Sequence, residues 1–196
     1  MLIKKLYTAL VFCMAFSFMN AQETTVSVEK SLFSIQTGTL GIWASNEARL
    51  ANQWALRTEI GLDMWSYETY KNYSLGERET GSFLAPSINF EPRWYYNLQK
   101  RADQGKHTDN NSANFLTVSV KYSPDLFKIG GPDELSVPGQ VSFTPKWGMR
   151  RAIAKSNFNY EIGGGLGYIW YMSGKNNLKN SSDVMVDIHL RIGYTF

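Results

Sequence analysis

The closing stretch DVMVDIHLRIGYTF, Asp183 to Phe196, alternates without a break. Val184, Val186, Ile188, Leu190, Ile192, Tyr194 and Phe196 are apolar, and Met185, Asp187, His189, Arg191, Gly193 and Thr195 sit between them. A period of two over this length is a β-strand with one apolar and one polar face. Which face meets solvent decides the class of protein.

The same pattern recurs along the chain. QWALRTEIGLDMW sets Trp54, Leu56, Thr58, Ile60, Leu62 and Met64 against Arg57, Glu59 and Asp63, and FLAPSINFEPRWYY sets Leu84, Ile88, Phe90 and Trp94 against Ser87, Asn89, Glu91 and Arg93. NFLTVSVKY, VSFTPKWGM and FNYEIGGGLGYIWY repeat it, with Lys121, Lys146 and Glu161 on the polar faces. A further segment turns at Ala51-Asn52, with Leu40, Ile42, Ala44 and Leu50 opposite Glu47 and Arg49. Nothing between these segments reads as a helix. A closed up-and-down barrel with both ends on one side needs an even strand count, so an eighth strand is expected from about Thr24 to Thr37, turning near Gly38 to Gly41. The fold class is therefore all-β: an antiparallel up-and-down transmembrane barrel of eight strands.

The N-terminal stretch MLIKKLYTALVFCMAFSFMNAQ has Lys4 and Lys5, an apolar run from Leu6 to Phe18, and a small residue before Gln22. It reads as a secretory signal peptide cut between Ala21 and Gln22, leaving residues 22–196 as one barrel domain. The single cysteine, Cys13, leaves with it, so no disulfide is expected. So do Lys4 and Lys5, and the remainder is near neutral, which gives no argument for nucleic acid. No later stretch holds 18 consecutive apolar residues, so a transmembrane helix is excluded.

The interior of an eight-stranded barrel just accommodates side chains or one small ligand. Trp54, Phe90, Trp94, Phe143, Trp147, Tyr160, Tyr168, Ile188 and Leu190 would overfill it, so the apolar face belongs outside. Closure then satisfies every backbone hydrogen bond, the condition for crossing a bilayer with strands. The aromatic residues fall into two girdles, as expected where rings meet headgroups. Trp54, Trp94, Tyr95, Tyr96, Phe158, Tyr160, Tyr194 and Phe196 lie near one edge; Trp65, Tyr67, Phe83, Tyr122, Trp170 and Tyr171 lie near the other. Pro86, Pro92 and Pro145 fall inside strand patterns, where each removes a ladder donor and invites a bulge that would shift the parity by one.

A signal peptide, amphipathic strands and the terminal aromatic of RIGYTF together resemble a small Gram-negative outer-membrane β-barrel. QTGTLGIW, NEARLANQWALRTEIGLD, EPRWYYNL, NNSANFL, PKWGMRR and DIHLRIGYTF resemble, more narrowly, outer-membrane barrel proteins of flavobacteria and other Bacteroidetes, a group with no activity to transfer. The resemblance implies outer-membrane location, outer-membrane lipid around the wall, and delivery by periplasmic chaperones to the barrel-insertion machinery. In that class Tyr194 and Phe196 would form the assembly signal.

The candidate site is the polar face itself: Arg57, Glu59, Asp63, Glu91, Arg93, Lys121, Lys146, Glu161, Asp187, His189 and Arg191. Near-balanced signs favour a paired, space-filling luminal network over an ion path, since buried charges need partners. His189 has Asp187 and Arg191 as same-face neighbours but no nucleophile at matching depth, so neither a catalytic residue nor a metal or cofactor site is assigned. EIGGGLGY lacks the strand-turn-helix setting of a phosphate loop; inward Gly163, Gly165 and Gly167 instead leave room for long luminal side chains. Ser66 to Gly81, with Tyr67, Tyr70 and Tyr73 among charges, reads as a surface loop that could take a ligand. Asn97 to Ala113, with Lys100, Arg101, Lys106 and His107, reads as a periplasmic turn, long for that side. The expected role is structural or surface interaction without catalysis; the alternatives are a narrow porin-like channel and a soluble periplasmic lipid-binding barrel.

Overall fold

The computed structural model describes residues 26–72, 77–135, 137–172 and 181–196; the leader, its cut between Ala21 and Gln22, and Tyr73 lie outside them. The strands follow in chain order: β1 (Ser31–Gly38), β2 (Gly41–Ala51), β3 (Trp54–Asn72), β4 (Glu77–Trp94), β5 (Asn114–Ser123), β6 (Gln140–Ala152), β7 (Phe158–Tyr171) and β8 (Ser181–Thr195). Each pairs antiparallel with its neighbours, and β1 also pairs with β8, closing an eight-stranded barrel. Stepping from partner to partner, from Val184 through Tyr168, Phe143, Val120, Phe90, Thr58, Asn46 and Phe33, leads back to Phe196, just past the end of β8. The Phe196 amide donates to the Phe33 carbonyl at 2.9 Å. A path that returns near the opposite end of its own strand means strongly tilted strands, as closure requires.

The faces are inverted relative to a water-soluble barrel. Ile60 is 62% exposed and Ile188 69%, whereas Arg57 and Glu161 are fully buried. Prolines do not disturb this parity. Pro86, Pro92 and Pro145 pair in register with Leu62, Leu56 and Val118, and the register shifts lie elsewhere, at Arg49/Ala51 and Tyr70/Asn72. The missing donors show only as gaps in pairing, at Glu91-Pro92 toward β5 and Thr144-Pro145 toward β7. A lost ladder bond is thus absorbed without the expected bulge.

The first strand begins at Ser31, later than the expected Thr24. Val26 to Glu29 run instead across the barrel mouth on the Phe196 side. There the Val28 amide bonds Asn52 O (2.8 Å), and those of Val26 and Glu29 bond Gln99 Oε1 (2.9 Å) and Asn111 Oδ1 (2.8 Å). The segment from Asn97 to Ala113 is also more than a turn. It contains a helix, α1 (Leu98–Asp103), and a 3-10 turn at Asp109–Asn111. Leu98, Gln99, Lys100, Arg101 and Ala102 are all good helix formers, and Gly105, at φ +64°, follows the end. One turn and a half is too short to show a period, which is why the pattern conceals it.

Val28, Ala55, Tyr95, Leu98, Ala113 and Phe115 pack into an apolar stopper across this mouth. Tyr95 is therefore not a girdle residue: it continues the inward face of β4 after Arg93 and is fully buried. Trp65, Tyr67 and Phe83 also belong inside. They pack with Ala85, Leu135 and Val137 near the other mouth, because they share the parity of Asp63 and Ser87. The outward rings that remain do form a belt near the stopper. Phe33–Phe196 (5.7 Å), Phe196–Tyr194 and Tyr194–Phe158 (both 5.1 Å), and Trp54–Trp94 and Trp94–Tyr96 (both 6.0 Å) are neighbours, and Trp147 Nε1 donates to Tyr96 Oη. The described residues of the Ser66 to Gly81 stretch are likewise strand: β3 runs to Asn72 and β4 starts at Glu77, paired as a ribbon as far as Asn72↔Glu77.

Phe115 touches Tyr95 (5.5 Å) and lies under the Arg93 guanidinium (4.2 Å). Phe115→Ala should reduce stability by about 3–5 kcal/mol, the range for emptying a buried phenyl site. Denaturant unfolding followed by tryptophan fluorescence measures it.

Candidate functional site

Alternation delivers one long polar side chain to the interior every second residue of each strand, and the barrel brings together residues distant in sequence. Glu161 on β7 is the hub. It accepts bonds from Arg57 (3.2 Å) and Arg93 (2.9 Å) and both a 3.1 and a 2.9 Å bond from Arg150. Toward the stopper, Glu47 on β2 binds Arg150 (3.2 Å) and accepts from Tyr95 Oη (2.6 Å) and Asn111 Nδ2 (2.5 Å). Burial pushes the Tyr95 phenol above its ordinary range, so it stays a donor to Glu47.

Away from the stopper, Arg93 and Lys146 both bind Glu91 (2.6 and 2.7 Å), and Lys146 Nζ also lies 3.4 Å from Asp187. Arg57 and Arg191 share Glu59 Oε2 at 2.5 and 2.7 Å. Arg191 lies over the Trp43 ring (3.8 Å), whose Nε1 donates to Asp63 Oδ1 (2.7 Å), while Lys121 takes Asp63 Oδ2 (3.0 Å). His189 stands between two acids, with Nδ1 3.3 Å from Asp187 and Nε2 3.4 Å from Glu161.

All eleven polar-face residues thus line the interior: Arg57, Glu59, Asp63, Glu91, Arg93, Lys146, Glu161, His189 and Arg191 buried, and Lys121 and Asp187 less so. The glycines of β7 make the space. A Cβ on Gly163 would stand 2.6 Å from His189 Cε1, and one on Gly165 would stand 2.8 Å from Lys146 Cγ. Glu47 and Arg150 belong to the same network and were not singled out from the sequence. Arg150 is two steps past Gly148 on the parity of Lys146, and Glu47 already shared a polar face with Arg49, so both were within reach of strict alternation.

No family model, curated protein or solved structure matches the chain. Among the described residues no hydroxyl or thiol is hydrogen-bonded to His189, and no group of three or more His, Cys, Asp or Glu is placed to hold a metal ion. No helix is long and apolar enough to cross a membrane, which says nothing about strands. Lys100, Arg101 and Lys106 lie outside the network, around a cavity of about 440 Å³ that also meets Tyr96 and Arg151.

What the network does is fill and brace. Breaking one member of a buried ion pair leaves its partners uncompensated, a loss of about 3–5 kcal/mol. Glu161→Gln should incur at least that, since three guanidinium groups depend on it. Glu68→Gln, at the exposed Glu68–Arg78 pair (2.7 Å), should change stability by less than about 1 kcal/mol. Parallel denaturant titrations of the two variants give the comparison.

Proposed function

We propose that the chain is an integral outer-membrane β-barrel protein with a charged, side-chain-filled lumen and a structural or surface-interaction role without catalysis. Export by the leader 1–21, periplasmic chaperoning and insertion through the last strand complete the reading. The observation that carries it is the inversion of faces. A closed wall presents Ile42, Ile60, Phe90, Leu116, Ile162, Ile188 and Leu190 outward and encloses Arg57, Arg93, Arg150 and Glu161. An apolar surface that encircles a barrel far exceeds the patches found on water-soluble monomers. Lipid is the solvent that suits it, because closure leaves the wall without exposed polar backbone over the paired region. The aromatic belt from Phe33 to Trp147 is what an interface would favour.

The lumen argues against conduction. Glu161 ties β3, β4 and β6 together across the bore, and the apolar stopper of Val28, Tyr95, Leu98 and Phe115 lies directly beyond it.

Three outcomes are expected. The protein should stay with membranes through a carbonate wash and show heat-modifiable mobility in gels; release by carbonate without detergent would favour the soluble lipid-binding barrel. In planar bilayers it should give no steady conductance steps, whose appearance would favour the narrow channel. Deleting Phe196, which removes both its bond to Phe33 and the aromatic read during assembly, should reduce the membrane-inserted fraction in cells.

A further inference from the structure

Among the described residues, the barrel wall has a gap on one side. β1 stops at Gly38, where its pairing with β8 also stops, at Gly38↔Arg191, and β2 starts at Gly41 opposite Asp63. β8 nevertheless continues to Ser181 and β3 to Asn72. Past the Met64 N–Leu40 O bond (2.7 Å), no strand among the described residues pairs with β3 on its β2 side, nor with β8 on its β1 side beyond Arg191. The result is a notch two strands wide above the β1–β2 turn.

Its floor lies low. With five β1–β8 pairs at about 3.3 Å per residue and a tilt of roughly 40°, the notch opens about 10 Å from the Phe196 rim, within an apolar band about 25 Å tall. Val184, Val186 and Ile188 continue that band along the free edge of β8, each 65% exposed or more.

A cavity of about 350 Å³ occupies the notch, and its lining shows that the wall is open there. Outward Val186 and Ile188 and inward Met185, Asp187 and His189 are alternate residues of one strand, yet all face this space. An intact sheet keeps such sets apart. Leu40, Met64, Val186 and Ile188 form an apolar mouth, and Trp43, Asp63, Lys121 and Arg191 form a polar back.

The back wall has spare donors rather than spare acceptors. Both oxygens of Asp63 are taken, by Trp43 and Lys121, and both of Asp187, by His189 and Lys146. Lys121 uses one of its three N–H donors on Asp63, and it is more exposed than Lys146. Arg191 Nε is buried without a partner. We infer that the notch is a lateral port that binds a single-chain amphiphile of the fatty-acid class: its compact anionic head sits by Lys121 and Arg191, and its chain leaves between Leu40/Met64 and Val186/Ile188 into lipid. Unpaired backbone at membrane depth is tolerated where it lines a cavity, and the cavity is at the small end of ligand sites, which suits a carboxylate head. This inference rests on the membrane reading given above.

The test uses the protein inserted into phosphatidylcholine vesicles, with two photoreactive fatty acids that carry a diazirine next to the carboxylate or at the chain end. Flotation comes first: protein that does not float with the vesicles defeats the membrane reading itself. In floating protein, the head-proximal probe should label Trp43 or Met185, and the chain-end probe, out in lipid, should label neither. Met185→Trp, which fills the cavity from a position outside the ion network and leaves every charged residue in place, should abolish labelling of Trp43 while heat-modifiable folding persists. Label confined to outward residues with both probes, or Trp43 labelling unchanged in Met185→Trp, overturns the port.

Discussion

Everything inside this barrel depends on keeping Glu161 paired. Its carboxylate sits where water is excluded, and three guanidinium groups on three other strands converge on it. Such a cluster is tolerable only if geometry and extra hydrogen bonds replace lost hydration. That requirement fixes the relative heights of β3, β4, β6 and β7. A slip of one residue in β3, β4 or β6 would send its arginine outward, and one in β7 would send Glu161 outward.

The outer surface is the other half of the same condition. Strands that bring charges inward by alternation must turn Ile, Leu, Val and aromatic side chains outward, and both faces are set by one parity. Strands without a free edge also resist the errors that parity invites. Pro92 and Pro145 each forgo one ladder bond, yet neighbours on both sides hold the register.

How much of this is legible in the sequence follows from which features are periodic. Seven of the strands, and the shared polar face of Arg57, Glu91, Lys146 or Glu161, are read from alternation; the eighth strand follows from the even count that closure needs, and the inward placement from the bulk of the apolar face. Tyr95, Trp65, Tyr67 and Phe83 are misread when ring chemistry is allowed to outweigh parity, since each lies on the inward set of its strand. Glu47 lies mid-strand on the polar face of β2 and Arg150 near the end of β6, and strict alternation reaches both. The helix Leu98–Asp103 is too short to show a period, and Val26 to Glu29 read as strand because extended chain and strand share a pattern. The notch is the least legible feature. β8 alternates evenly from Val184 to Phe196 whether or not β1 lies beside it, and only the partner's length reveals where pairing ends.

The seam between β1 and β8 has a consequence for how the molecule comes together. Its contacts join the two ends of the domain: Ser34 Oγ meets Thr195 Oγ1 at 3.0 Å across 161 positions of sequence. The hairpins β1–β2, β2–β3 and β6–β7 close short loops, whereas this seam must bring together chain ends that are almost as far apart as the domain allows, a demand that slows folding. The seam is also the shortest strand pairing in the barrel, spanning five residues of each strand. Ring closure therefore carries the largest loop-closure cost of any strand pairing in the barrel and has few bonds to offset it.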